Sequence, residues 1–102
     1  MNIKLYIGMN DKNTNEDKTN LINFNNTLNY ACKKLGIEGY TVTDTNGYYI
    51  YSNGNICNEK SKEVLFIGIN EKDISPLVEF LKVELNQECI MIEYIKSEFK
   101  FV

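Results

Sequence analysis

The stretch Gly39–Asn70, GYTVTDTNGYYIYSNGNICNEKSKEVLFIGIN, decides the fold. Tyr40 and Val42, then Tyr49 and Tyr51, alternate with polar neighbours, as in a strand with one buried face. The phase changes near Thr45-Asn46-Gly47, where glycine marks an expected bulge. Asn53-Gly54 is a strong short hairpin signal, because both residues tolerate the left-handed backbone a tight turn needs. The return strand starts at Asn55-Ile56 and ends in Val64-Leu65-Phe66-Ile67. That run is apolar on both faces, which places it centrally in a sheet.

A helical pattern lies on each side of the hairpin. Upstream, Ile3, Leu5 and Ile7 alternate with Lys4 and Tyr6, predicting a first strand over about 2–9. Asn10 to Lys18, NDKNTNEDK, reads as a polar loop or a frayed helix start, either a disordered crossover or a ligand-facing loop. Leu21, Phe24, Leu28, Ala31 and Leu35 follow at helical spacing and predict a helix over about 16–35. Asn15 or Thr19 would cap it, Glu16 and Asp17 would sit in its first turn, and Gly36 would end it.

Downstream, Ser75 reads as an N-cap and Pro76 as the first residue of a second helix. Leu77, Val78, Leu81 and Leu85 form its apolar face, and Asn86-Gln87-Glu88 ends it. Cys89-Ile90-Met91-Ile92 reads as a fourth strand. Phe99 and Phe101 alternate at the C-terminus, where they can extend the sheet or cover a partner subunit.

The order β-α-β-β-α-β predicts an α+β, ferredoxin-like sandwich. It has one antiparallel sheet in the order 4-1-3-2 with both helices on one face. An open α+β roll with the tail as a fifth strand is the alternative. In the ferredoxin-like arrangement Gly8–Lys12, Tyr51–Asn53, Glu59–Ser61 and Gln87-Glu88 converge at one end of the sheet. The uncovered face would carry Tyr6, Tyr48 and Ile50 and could pair subunits.

Composition bounds the chemistry. A chain of 102 residues is one domain with a modest core, and its 43% hydrophobic content suits a folded globule. Abundant asparagine, isoleucine and lysine match the codon bias of an AT-rich genome. Histidine is absent, which removes the histidine base and His-containing metal sites. Every basic residue is lysine, so no arginine fork for phosphate exists. A net charge of −3 disfavours non-specific nucleic-acid binding. Cys32, Cys57 and Cys89 form an odd set without C-x-x-C spacing. With no stretch resembling a signal peptide, this points to a reducing cytosol, that of a bacterial host.

Leu5-Tyr6-Ile7-Gly8, Gly39-Tyr40-Thr41-Val42, Gly47-Tyr48-Tyr49, Asn53-Gly54, Glu59-Lys60-Ser61 and Gln87-Glu88-Cys89 together carry a resemblance. They look like a bacterial family of unknown function with the pattern L-Y-F-G, G-x-x-V, G-x-W, D-G, E-x-S and Q-E-S-V. The likeness spans most of residues 3–92 and thins through the first helix. Tyr49 stands at the family's tryptophan and Cys89 at its serine. The start Leu5–Lys12 is similar to small phage or prophage relatives. The resemblance implies a genomic context and carries no activity.

The candidate ligand-binding residues are Tyr6, Asn10, Lys12, Tyr49, Tyr51, Glu59, Lys60, Ser61, Gln87 and Glu88. Glu59 or Glu88 can act as acid or base with Tyr6 or Tyr51 as donor. Equally, Glu59 can accept backbone N–H groups, and Gln87-Glu88 can tie the second helix to the first strand. The tyrosines at 40, 48, 49 and 51 read as a stacking platform or as cross-strand packing. Lys12, Lys60 and Lys62 can hold phosphate as point charges or sit solvated. Cys57 and Cys89 have no histidine or arginine to lower their pKa and read as inert.

These residues favour a small non-enzymatic, phage- or prophage-type binding protein that counteracts a host process. It would sequester a nucleotide signal or bind a host defence protein, and would assemble as a homo-dimer or higher oligomer. The alternatives are a small ferredoxin-like enzyme acting on an apolar substrate, or a purely structural homo-oligomer. No cofactor, metal, nucleic acid or membrane is expected to take part.

Overall fold

Alternation in the first strand sets the two faces of the sheet. Ile3, Leu5 and Ile7 are fully buried, so Lys4, Tyr6 and Gly8 must lie on the opposite face. In the computed structural model, which describes residues 1–50 and 53–102, the chain runs β1 (Asn2–Gly8), α1 (Phe24–Leu35), β2 (Thr41–Ile50), β3 (Ile56–Phe66), α2 (Glu71–Glu84) and β4 (Met91–Ile95).

The sheet order is β2-β3-β1-β4, with every neighbouring pair antiparallel. This is a ferredoxin-like α+β fold. β1 pairs with β3 from Ile3↔Phe66 to Gly8↔Ser61, and with β4 from Asn2↔Ile95 to Tyr6↔Met91. The core lies between sheet and helices. Ile3, Leu5, Ile7, Val64 and Phe66 meet Phe24, Leu28, Ala31, Ile74, Leu77 and Leu81. The helices touch each other through Tyr30 and Phe80, whose rings lie 6.2 Å apart.

Several expectations from the sequence need correction. α1 begins at Phe24, not near residue 16, and Asn23 caps it by accepting from the Asn26 N–H at 3.1 Å. The earlier residues cannot be helical because they are bonded elsewhere. The Lys18 N–H donates to the Met9 carbonyl, and Asn10 bridges Asp17. Leu21, at helical spacing with the core residues, is 68% exposed.

α2 begins at Glu71, so Pro76 falls inside it and Ser75 is not its cap. Pro76 forfeits one helical hydrogen bond. Extending the helix nevertheless buries Ile74 and puts Glu71 and Asp73 at the positive end of the helix dipole.

No bulge occurs near Gly47, since β2 and β3 keep one register from Thr41↔Leu65 to Ile50↔Ile56. Gly54, in the turn, has φ +87°, and the Asn55 N–H is capped by Asn53 Oδ1 at 2.9 Å. β4 lies two residues later than predicted. Phe99 and Phe101 join no strand; their rings pack edge to face at 5.6 Å, with Phe99 against Gly68.

Tyr48 and Ile50 do not share a face with Tyr6. The pairings Val42↔Val64, Tyr48↔Asn58 and Ile50↔Ile56 put them on the helix side of the sheet. They are exposed there because the hairpin continues past Val64, the last core residue of β3 in that direction. Among the described residues no helix is long and apolar enough to cross a membrane.

The helix start gives a test. Leu28→Ala should cost about 2–5 kcal/mol through loss of core packing. Leu21→Ala should stay within about 0.5 kcal/mol, as exposed substitutions do. Urea unfolding measures both, and equal losses would contradict a helix that begins at Phe24.

Candidate functional site

The period of two gathers a second set of residues on the face away from the helices. Tyr6 and Gly8 come from β1, Thr45 and Gly47 from β2, and Glu59, Ser61 and Glu63 from β3. The loop after β1 and the segment after α2 rise beside them. Together they enclose an open groove of about 1310 Å³.

Of the sequence-predicted residues, Tyr6, Asn10, Lys12, Glu59, Ser61, Gln87 and Glu88 line this groove. Lys60 does not. Its position on β3 points to the helix side, and its ammonium lies 3.9 Å from Asp17. Tyr49 pairs with Cys57 in the hairpin ladder. Tyr51 lies outside the described residues.

Glu59 is built into the floor. Its carboxylate lies directly over Gly8, where a methyl group would overlap it. Gly8 is therefore a glycine for close approach. Glu59 Oε2 accepts the Asn10 N–H at 2.8 Å, and the Met9 N–H donates to the Lys60 carbonyl at 3.0 Å. On the other side of the loop, Gln87 Nε2 donates to the Asn10 carbonyl at 2.5 Å. Asn10 is thus clamped through its backbone between β3 and the end of α2.

Asp11, which the reading of the sequence did not single out, is the second clamp. Oδ1 accepts the N–H groups of Asn13 and Thr14 at 2.8 and 3.1 Å. Oδ2 accepts Asn86 Nδ2 at 2.8 Å and pairs with Lys18 at 2.7 Å. The Asn86 carbonyl accepts the Lys12 N–H at 3.1 Å, and Asn86 itself sits at φ +47°. Donation from Asn86 and Lys18 holds the Asp11 carboxyl well below the ordinary carboxylate range. The Asp-x-Asn-Thr spacing is that of a side chain closing its own turn, a signal the sequence did contain.

Charge divides between the faces. Glu59, Glu63 and Glu88 line the groove, whereas Asp11 is neutralised by Lys18. Lys12 is the lysine among the lining residues. Lys62, on the helix side, is held by Asp44 at 2.6 Å and lies 5.8 Å from the Phe24 ring centre. The three lysines considered for phosphate do not converge.

The Tyr6 hydroxyl is also committed. It donates to Glu93 at 2.7 Å, and that bond with a carboxylate pushes its pKa up to about 12. Its oxygen can accept, but its proton is not free for general acid work. Cys32 and Cys89 are free thiols; burial pushes the Cys32 thiol up to about 11, which keeps it protonated and unreactive. Among the described residues no group of three or more Cys, Asp or Glu side chains is placed to hold a metal ion.

No family model and no curated protein matches the chain. Solved structures do match its fold. A phage SAM lyase in complex with S-methyl-5'-thioadenosine aligns at TM-score 0.66 and 16% identity, covering 89% of this chain and 76% of that one. The periplasmic divalent cation tolerance protein CutA from Archaeoglobus fulgidus aligns at 0.63 and 11% identity, covering 98% and 89%. The B. subtilis GlnK–ATP complex aligns at 0.50 and 14% identity, covering 93% and 83%. At these identities the likeness establishes the fold.

The clamps predict a pH response. The lowered Asp11 value stabilises the fold above the ordinary carboxylate value of 3.8. That contribution is lost progressively as pH falls below it. Asp11→Asn should lower stability at neutral pH and flatten its fall on acidification. Circular dichroism across an acid titration measures this; an unchanged acid profile would remove Asp11 as the clamp. Gly8→Ala, which forces Glu59 off the floor, should lower the melting temperature more than Gly39→Ala, where open space surrounds the residue.

Proposed function

We propose that this chain is a small phage- or prophage-type binding protein that takes up an adenosine-bearing small molecule in the open-face groove. By holding that molecule it draws it away from a host process. The observation that carries this reading is the groove itself. Its floor is fixed by the clamped Asn10 and Glu59, its size admits a nucleoside, and its polar groups converge from four separate segments.

The fold comparisons support the ligand class. The phage SAM lyase was solved with S-methyl-5'-thioadenosine and GlnK with ATP, both adenosine compounds. The lining narrows the class further. Glu59, Glu63 and Glu88 face one Lys12, so a polyphosphate meets like charge while a neutral or cationic nucleoside does not. This favours a sulfonium or thioether nucleoside over the phosphate-bearing signal considered from the sequence.

A second reading, turnover of the bound molecule, draws support from the lyase among the fold neighbours. Glu59 would then be the carboxylate beside the reacting centre. Direct capping of a host defence protein needs no groove and is the weaker reading.

Thermal unfolding with S-adenosylmethionine, S-methyl-5'-thioadenosine or ATP in excess tests the proposal. The first two should raise the melting temperature, by roughly the amount that a ligand at 100 times its Kd supplies, about 2.7 kcal/mol. ATP should do less. Glu59→Gln keeps an acceptor for the Asn10 N–H but removes the charge, so it should weaken the cationic ligand more than the thioether. Chromatography of the same mixtures reports turnover, and S-methyl-5'-thioadenosine appearing from S-adenosylmethionine would favour the lyase reading. No stabilisation by any of the three would sink the groove as an adenosine site.

A further inference from the structure

The outer edge of β2 has no neighbouring strand. β2 is an edge strand of ten residues, paired along its whole length with β3 in one unbroken register. It has no proline and no bulge, and its single formal charge, Asp44, is paired with Lys62 at 2.6 Å. Proline and bulges are devices that normally keep such an edge from accepting another strand, whereas the exposed Asp44 restricts which register a second strand can take. At its far end, Tyr48 and Ile50, with Ile56 across the hairpin, are 62%, 60% and 60% exposed. They sit on the helix side of the sheet, beyond the reach of their own helices.

We propose that β2 pairs antiparallel with β2 of a second copy, about a twofold axis at Thr45, to make a continuous eight-stranded sheet. The side-chain period confines the axis to a residue position, and charge and apolarity choose among those positions. Directly opposite residues must share a face, so the sum of their numbers is even. An axis at residue 44 would set Asp44 against itself, which costs energy. An axis at Thr45 sets Asp44 opposite the partner's Asn46, Val42 opposite the partner's Tyr48, and Tyr40 opposite the partner's Ile50. On the helix side polar then meets polar, and apolar meets apolar.

The same operation resolves the exposed hairpin end. The helices cover Val42 and leave Tyr48 and Ile50 bare. Antiparallel pairing lays the bare end of each strand beside the covered end of the other. Tyr48 and Ile50 come to lie against the partner's helix layer, where Tyr40 is hydrogen-bonded to Asn29. The contact is isologous and closes as a dimer.

Sedimentation equilibrium of the full chain, together with two substitutions on the exposed strand, tests this. The native protein should be a dimer. Asn46→Asp should weaken it about tenfold by facing two like-charge pairs, while Asn46→Lys should keep or tighten it. In a Cys89→Ser background, which removes the exposed thiol, Thr45→Cys should be joined to its copy by a short thiol-to-thiol cross-linker. Asn53→Cys, away from the axis, should not. A monomer at all concentrations, a trimer, or a dimer indifferent to the charge at position 46 would each overturn the proposal.

Discussion

The structure depends on a period of two shared by β1 and β3. Burying Ile3, Leu5 and Ile7 against the helices requires Val64 and Phe66 to face the same way. A slip of one residue would turn all of them to solvent, so the register is fixed by the core. The same constraint sends Gly8, Glu59, Ser61 and Glu63 to the other face. The groove is therefore a consequence of the core, made of the residues the core cannot use.

What stands above that face is held by polar chemistry. The loop after β1 has few apolar side chains, so hydrophobic burial cannot order it. Instead Asp11 collects two backbone N–H groups, an amide and an ammonium, and Asn10 is gripped by Glu59 and Gln87 through its main chain. Such a network rigidifies when it is fully satisfied. Loop, β3 and the end of α2 become one wall, although they are far apart in sequence.

The division of charge follows from the same geometry. Lysines 60 and 62 alternate with Glu59, Ser61 and Glu63 along β3, so pairing in the sheet sorts them by sign. Lys60 and Lys62 are drawn to Asp17 and Asp44 on the helix side. The open face keeps the β3 carboxylates, those of Glu59 and Glu63. A linear reading of Glu59-Lys60-Ser61-Lys62-Glu63 sees a mixed cluster, whereas the folded sheet presents two surfaces of different character.

Fold class, element order and sheet order were all legible in the linear chain. They rest on local signals: alternation in residues 3–7, helical spacing around Leu28 and Leu81, and Asn53-Gly54 between two strand-like runs. The same signals brought seven of the proposed site residues to one groove, because topology dictates which strand ends meet. Closure of the chain settled the rest. Leu21 matches the helical period but is exposed, since the bonds of Lys18 and Asn10 claim the preceding backbone. Pro76 reads as a helix start but lies inside one, because burying Ile74 outweighs a lost hydrogen bond. Asp11 reads as one more loop acid, yet its four donors come from residues 13, 14, 18 and 86. Local propensity is written in neighbouring residues, while a hydrogen-bond network spanning 75 positions exists only after the chain has closed on itself.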